Sequence, residues 1–340
     1  MLHATTTRRA FLAAPLAGLL ATVPLAAAAQ QELKLATFVP PTHIVQATVL
    51  TPWAQDLAQA STNKLAVRMF PSMQLGGKAP ELYRQMAQGI SDITFTLPGY
   101  TSSSFPMMAL TELPGMAEDG PDGTRKLWQH FDRFLAPQFT EAKVLMLWNA
   151  DNAILMSKTK LIRKLEDLRG LKVRTPSAAQ SAQIEALGAS PIDMPANQMY
   201  NALDRGVVDV LMVPPSVILD FKIGEVARYY TVGAPLGRSN FLVAMNKARY
   251  DRLPAESKAA IDRTTGLQLS LKGAQTYESR SAEAMRSLAG DGKSEVITLD
   301  QAERARFRAA FRPLVEAEVA EKEKMGLPAR AMIAAFGLGS

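Results

Sequence analysis

One cation stands out by its placing. In Asp167-Leu-Arg-Gly-Leu-Lys-Val-Arg174, Leu171 and Val173 alternate with Lys172 and Arg174 at the period of a strand, and Thr175-Pro176-Ser177 then stops the strand and offers a helix cap. Arg174 is thereby set at the carboxyl end of a strand, where open α/β sheets hold their ligands. A surface arginine answered by a local carboxylate is the competing reading of the same residues.

Other chemistry-bearing residue types are scarce or wrongly spaced. Beyond the first thirty residues there are two histidines, His43 and His130, in different elements and without a metal-binding spacing. His43 follows Pro40-Pro41-Thr42 at a strand-to-helix turn, which suits a cap or a cleft rim. No G-x-S-x-G elbow, Walker loop or G-x-G-x-x-G turn falls between a strand and a helix. Glu166-Asp167 and Glu118-Asp119 sit in polar turns, and Asp119-Gly-Pro-Asp-Gly123 lacks the spacing of a calcium loop. Cysteine is absent, which excludes disulfides, thiolate chemistry and zinc-thiolate sites. These absences point to binding without covalent chemistry. Pro98-Gly99-Tyr100-Thr101-Ser102-Ser103-Ser104 reads as a polar turn or as a pocket wall rich in hydroxyls.

The elements that must position Arg174 alternate between strand and helix periods, as in layered α/β folds. Strands are expected at residues 33–37, 65–70, 93–96 and 144–148, with helices near 50–58, 79–88 and 122–135 between them. Trp148-Asn-Ala-Asp-Asn152 marks a crossing into a second unit. There the pattern repeats: strands 171–174, 190–194 and 207–212, and helices 178–187 and 197–205. After strands at 229–232 and 241–245, a helical pattern runs from Leu253-Pro254 to about Leu288, with only Gly266 and Gly273 against it. Thirty-odd helical residues reach about 50 Å, enough to bridge two lobes. The segments 300–325, kinked at Pro313, and 328–336 read as helices on the second lobe.

A chain of 340 residues, 47% hydrophobic and 21% charged, accommodates two cores and excludes disorder and a multi-spanning membrane protein. Thr7-Arg8-Arg9-Ala10-Phe11-Leu12, the Ala/Leu run after it and Ala26-Ala27-Ala28-Ala29 read as a cleaved export signal over residues 1–29, with an arginine pair that fits Sec or twin-arginine export. A retained anchor is the competing reading; Pro15, Pro24 and the alanine richness favour cleavage. Cleavage before Gln30 removes two arginines and no acid, taking the net charge from +6 to +4. The bases are spread out rather than interleaved with aromatics, so nucleic acid is not an expected partner, whereas an anionic small molecule is compatible.

Several stretches, in order over nearly all of residues 30–335, together resemble the periplasmic solute-binding proteins of tripartite ATP-independent periplasmic (TRAP) transporters, the DctP-type family. They are Thr42-His43, Phe70-Pro-Ser-Met-Gln-Leu-Gly76, Glu112-Leu-Pro114, Leu168-Arg-Gly-Leu-Lys-Val-Arg174, Leu187-Gly-Ala-Ser-Pro191, Met199-Tyr-Asn-Ala-Leu-Asp-Arg-Gly-Val-Val-Asp209, and Met245-Asn-Lys247 with Leu253-Pro254. The resemblance implies an α/β, two-lobe periplasmic-binding-protein-like fold with hinge strands and a long bridging helix. It implies lobe I from residues 30–150 with 239–278 and lobe II from 151–238 with 279–335. It further implies a monomeric periplasmic receptor, no enzyme and without cofactor or metal, that hands a small organic acid to integral-membrane TRAP permease subunits.

The resemblance makes Arg174 the family's anchor for a substrate carboxylate, a role that suits the guanidinium fork. Two departures bear on the ligand. A second arginine, common in sialate and dicarboxylate binders of the family, falls at Asn152 or Ala153, and an asparagine common before the proline falls at Val213. A second buried carboxylate without a cation would cost several kcal/mol. The expected ligand is therefore a monocarboxylate with an apolar or aromatic body, packed near Phe38, Tyr100, Trp148, Val213 and Phe241, with Asn149, Asn152, Ser216 and Asn240 as polar contacts. For Trp148 and Phe241 lobe core is the competing reading, and Asn201, Arg238 and Lys222 are substitute donors. The alternatives are a C4-dicarboxylate or other organic-acid receptor of a different importer or sensor and, from another class, a secreted hydrolase in which Ser102, Ser103 or Ser104 meets His43.

Overall fold

The computed structural model describes residues 1–5 and 30–338. The expected arginine pair, apolar run and cleavage site of the export signal lie outside the described residues. In chain order the strands are β1 (Gln31–Thr37), β2 (Leu65–Phe70), β3 (Ile93–Thr96), β4 (Ala142–Asn149), β5 (Ile154–Ser157), β6 (Lys172–Thr175), β7 (Ser190–Asp193), β8 (Val210–Val213), β9 (Tyr229–Val232), β10 (Asn240–Asn246) and β11 (Glu295–Thr298).

They form two sheets, one ordered β2-β1-β3-β10-β4 and the other β11-β9-β5-β8-β6-β7. β1 pairs in parallel with β2 and β3, and β6 with β7 and β8, the pattern that helical crossovers impose. Every residue of β3 and β8 is buried, as strands covered on both faces require. The chain leaves the first sheet at the end of β4 and returns at the start of β10, and those ends lie side by side with Asn240 opposite Asn149. Ala150 N–H donates to Ser239 O at 2.9 Å, so the outgoing and returning segments are tied together where they cross.

Two 24-residue helices span both cores. Leu267–Gly290 buries Ala274 and Tyr277 with the first sheet's core and Ala284 and Leu288 with the second's. Gln301–Lys324 buries Phe307 and Phe311 under the second sheet and Val319 beside Met107 and Phe134. The bridging helix is shorter than the sequence suggests, about 36 Å at 1.5 Å per residue. Its pattern is interrupted at Gly266, whose φ of 92° and ψ of −155° belong to a region essentially reserved for glycine. Gly273 does not interrupt it: this residue lies against the Trp148 indole, where a Cβ would come within 2.9 Å of the ring.

Other differences are local. The helix expected over 122–135 ends at Gln129, and a wider π-turn follows at Phe131–Leu135. Strands β5 and β11 have no counterpart in the sequence expectation, being four residues each. The final helix, Ala329–Ala335, expected on the second lobe, instead buries Met332 and Ile333 with Met107, Met108 and Phe134 on the first-sheet side. Its apolar face follows the distal half of Gln301–Lys324, which has already crossed over.

Candidate ligand-binding site

Between the sheets lies a narrow cavity lined by residues of both. Phe38, Leu97, Tyr100 and Phe241 line it from the first-sheet side, and Arg174, Pro176, Val213 and Pro214 from the second. The aromatic wall has a rigid backing. Phe95 stacks between Phe38 at 5.8 Å and Trp148 at 5.5 Å, and Phe241 stacks on Trp148 at 5.4 Å between ring centroids. Offset stacks of this kind fix ring positions, so the wall is formed before a ligand arrives.

Arg174 is 1% exposed and lies in β6, next to β8 in the sheet. Its Nε and Nη2 donate to Met194 O at 2.9 and 2.7 Å, and its Nη1 to Met212 O at 3.4 Å. These are neutral carbonyls. Among the described residues no carboxylate forms an ion pair with it, and burial pulls the guanidinium below its ordinary value while Tyr100 and Asp193 pull it back. A guanidinium has five N–H donors, so the carbonyls leave capacity for an incoming anion. An isolated buried cation is costly, and an anion arriving in that cavity relieves the cost.

Two clasps draw the sheets together around the cavity. Tyr100 OH accepts from Ala196 N–H at 3.0 Å across the gap. His43 and Ile44 meet Asp220: Ile44 N–H donates to the carboxylate at 3.1 Å, His43 Nε2 is 3.7 Å from it, and Arg280 bonds the same carboxylate. Burial pulls His43 down to about 4, with Asp220 opposing and Arg280 adding to the shift. Its Nδ1 accepts from Val45 N–H at 3.2 Å, so the neutral ring carries its proton on Nε2.

Five sequence-expected site residues, Arg174, Phe38, Tyr100, Val213 and Phe241, come together in the cavity lining. The others do not. Trp148 is fully buried behind Phe241 and Phe95, as its lobe-core reading had it. Asn149 donates to Asn240 Oδ1 at 3.0 Å, and Asn240 donates to Thr111 Oγ1 at 2.7 Å. Ser216 donates to Asp151 Oδ1 at 2.7 Å. Asn152 is half-buried on the crossing segment, outside the lining. The hydrogen bonds of Asn149, Asn240 and Ser216 thus tie segments of the crossing to one another. Asn201 and Lys222 are exposed, and Arg238 is fixed by Ala150 O and Glu118 O.

Ser102 and Ser103 line a surface groove with Glu318 and Lys322, and Ser104 another with Tyr83 and Glu141; neither groove includes His43. The lining residues not anticipated are Leu97, Pro176, Ala196, Pro214, Val217, Phe221, Ser239 and Tyr277. Pro176 and Pro214 each lie just past a strand end, next in sequence to Thr175 and Val213. That position, shared with Arg174, is the signal that could have found them.

Two buried acids lie at the crossing. Glu112 accepts from Ser177 Oγ and from Gln180 Nε2, and burial raises its carboxyl to about 7 against those hydrogen bonds. Burial likewise raises Asp151 to about 7.

The chain matches the profile of the bacterial extracellular solute-binding proteins, family 7 (DctP), over residues 35–322. A solved marine-metagenome TRAP solute-binding protein specific for aromatic acid ligands, in complex with 3-hydroxybenzoate, is 31% identical, with a TM-score of 0.86 over 90% of this chain and 97% of its own. A TRAP solute-binding protein from Rhodoferax ferrireducens, in complex with copurified benzoate, is 28% identical, with a TM-score of 0.86 over 91% of this chain and 97% of its own. The C4-dicarboxylate-binding periplasmic protein DctP of Rhodobacter capsulatus is 27% identical over 278 residues, 79% of this chain and 80% of its own length.

Proposed function

The chain belongs to the DctP family of bacterial extracellular solute-binding proteins, the periplasmic receptors of TRAP transporters, and on that premise we propose that its ligand is a monocarboxylate with an aromatic body. Members of this family bind small organic acids and work with membrane permease subunits. The observation that carries the finer reading is a buried Arg174 with no acid partner, facing a cavity walled by Phe38, Tyr100 and Phe241. One carboxylate neutralises that cation, and the ring of the ligand replaces water against the aromatic wall.

A second carboxylate has no cation to meet. Among the described residues Arg174 is the sole arginine or lysine of the lining, Val213 is apolar, and neither Asn152 nor Ala153, where the resemblance puts a second arginine, is basic. The aromatic acids held by the marine-metagenome and Rhodoferax relatives support the same reading. The sheets, one from residues 31–149 with 240–246 and the other from 154–232 with 295–298, are the bodies that a hinge at the paired crossing segments opens and closes. Calorimetric titration with benzoate, mandelate and succinate tests the proposal. Benzoate or mandelate is expected to bind at least about 100-fold more tightly than succinate, some 3 kcal/mol. Tighter binding of succinate would overturn it.

A further inference from the structure

The polar side chains of the cavity lining, among the described residues, are Arg174, Tyr100, Ser239, His43 and Tyr277. Four of them are engaged by the protein. Arg174 holds Met194 O, Tyr100 accepts from Ala196 N–H, Ser239 Oγ accepts from Gln180 Nε2 at 2.9 Å, and His43 takes the Val45 N–H and faces Asp220. Tyr277 differs. It is 1% exposed, and its hydroxyl is buried without a hydrogen-bond partner.

Phenol hydroxyls buried in folded proteins normally find a partner, because an unmet donor loses its bonds to water with no return. Tyr277 is placed by the middle of the bridging helix, between Phe241 at 4.5 Å and His43 at 6.0 Å, whereas Arg174 sits among Met194, Met212 and Tyr100. The cavity therefore has two polar provisions, a cation and an unspent hydroxyl, both within electrostatic reach of Tyr100. Burial keeps the Tyr277 phenol far above its ordinary value, so it stays protonated and can both donate and accept.

We propose that the cavity selects aromatic carboxylates carrying a hydroxyl on the ring, with Tyr277 as the group that receives that hydroxyl. This rests on the reading of the protein as an aromatic-acid receptor. The carboxylate occupies Arg174, the ring lies on the aromatic wall, and the ring hydroxyl supplies the bond that Tyr277 lacks. A site built to bond a hydroxyl discriminates strongly against the analogue without one, since the buried group is then left unpaired.

The test is calorimetric titration of wild-type protein and of Tyr277→Phe with benzoate and its ortho, meta and para hydroxy derivatives. At least one hydroxy isomer is expected to bind wild-type protein about tenfold or more tightly than benzoate. In Tyr277→Phe that ratio is expected to fall to within about threefold of unity. No preference over benzoate in the wild type, as a water bound at Tyr277 would produce, overturns the inference, and so does a preference that survives in Tyr277→Phe. The wild-type ranking decides without the variant if the variant fails to fold. Failure of all four acids to bind would instead remove the receptor reading, and the inference with it.

Discussion

Arg174 and Arg238 are both buried, at 1% and 8% exposure, and both stand near the junction of the two sheets. Their surroundings assign them opposite work. Arg238 donates to Ala150 O at 3.0 Å and Glu118 O at 2.7 Å, and Glu278 stands 3.7 Å away, so its charge and donors are used within the protein. Arg174 has carbonyl partners but no acid, and it faces a cavity. The difference teaches that burial of an arginine says little by itself; whether its donors are spent inside the protein or border a cavity separates the two.

The sharpest way to break this comparison is to remove each cation. Arg174→Ala is expected to cost about 3 kcal/mol or more of ligand affinity, roughly 150-fold, because the bound carboxylate would be left unpaired. Its unfolding free energy should change by less than about 1 kcal/mol, since loss of the carbonyl bonds is offset by removal of an unpaired buried charge. Arg238→Ala should show the reverse pattern. Chemical denaturation is expected to register a loss of about 2–3 kcal/mol as Ala150 O and Glu118 O lose their donor, with affinity changing less than in Arg174→Ala.

Glu112 sharpens the same contrast, as a buried acid at the crossing that pairs with neither arginine. Its carboxyl is about 7 in the folded chain against 4.5 ordinarily, so the folded state retains a proton that the unfolded chain releases between those values. Stability from this group is complete below pH 4.5 and is lost as pH rises through 7. Unfolding curves should therefore show the wild type at least about 2 kcal/mol more stable near pH 5 than near pH 8, and Glu112→Gln should remove part of that slope. Asp151, also raised to about 7, accounts for a remainder of the same sign. The smallest effect is expected at the clasp: Tyr100→Phe loses the acceptor of Ala196 N–H and should weaken binding by about 1 kcal/mol in titration.

Much of this architecture is legible in the residues. The alternation around Lys172 and Arg174 marks β6 and the end of it that borders the cavity, and the apolar runs of β3, β4 and β10 read directly as covered strands. Phe38, Tyr100, Val213 and Phe241 were found because they flank strand ends or turns. Asn149, Ser216 and Asn240 lie outside the lining, bonded to other buried groups, and sequence displays a hydrogen-bonding side chain but not whether another buried group has claimed it. Tyr277 escaped for the opposite reason. It belongs to an amphipathic helical pattern, and only the three-dimensional crossing of Leu267–Gly290 between the cores brings its ring to the cavity. The break at Gly266 was masked because flanking residues keep the helical period on both sides.

The most direct measurement is a crystal structure of the protein with the ligand it retains on purification or acquires from benzoate. The account predicts a single carboxylate within hydrogen-bond distance of the Arg174 guanidinium, its aromatic ring against Phe38, Tyr100 and Phe241, and no second cation drawn into the cavity. A ligand whose carboxylate lies away from Arg174, or a dicarboxylate bridging Arg174 and another basic side chain, would contradict it.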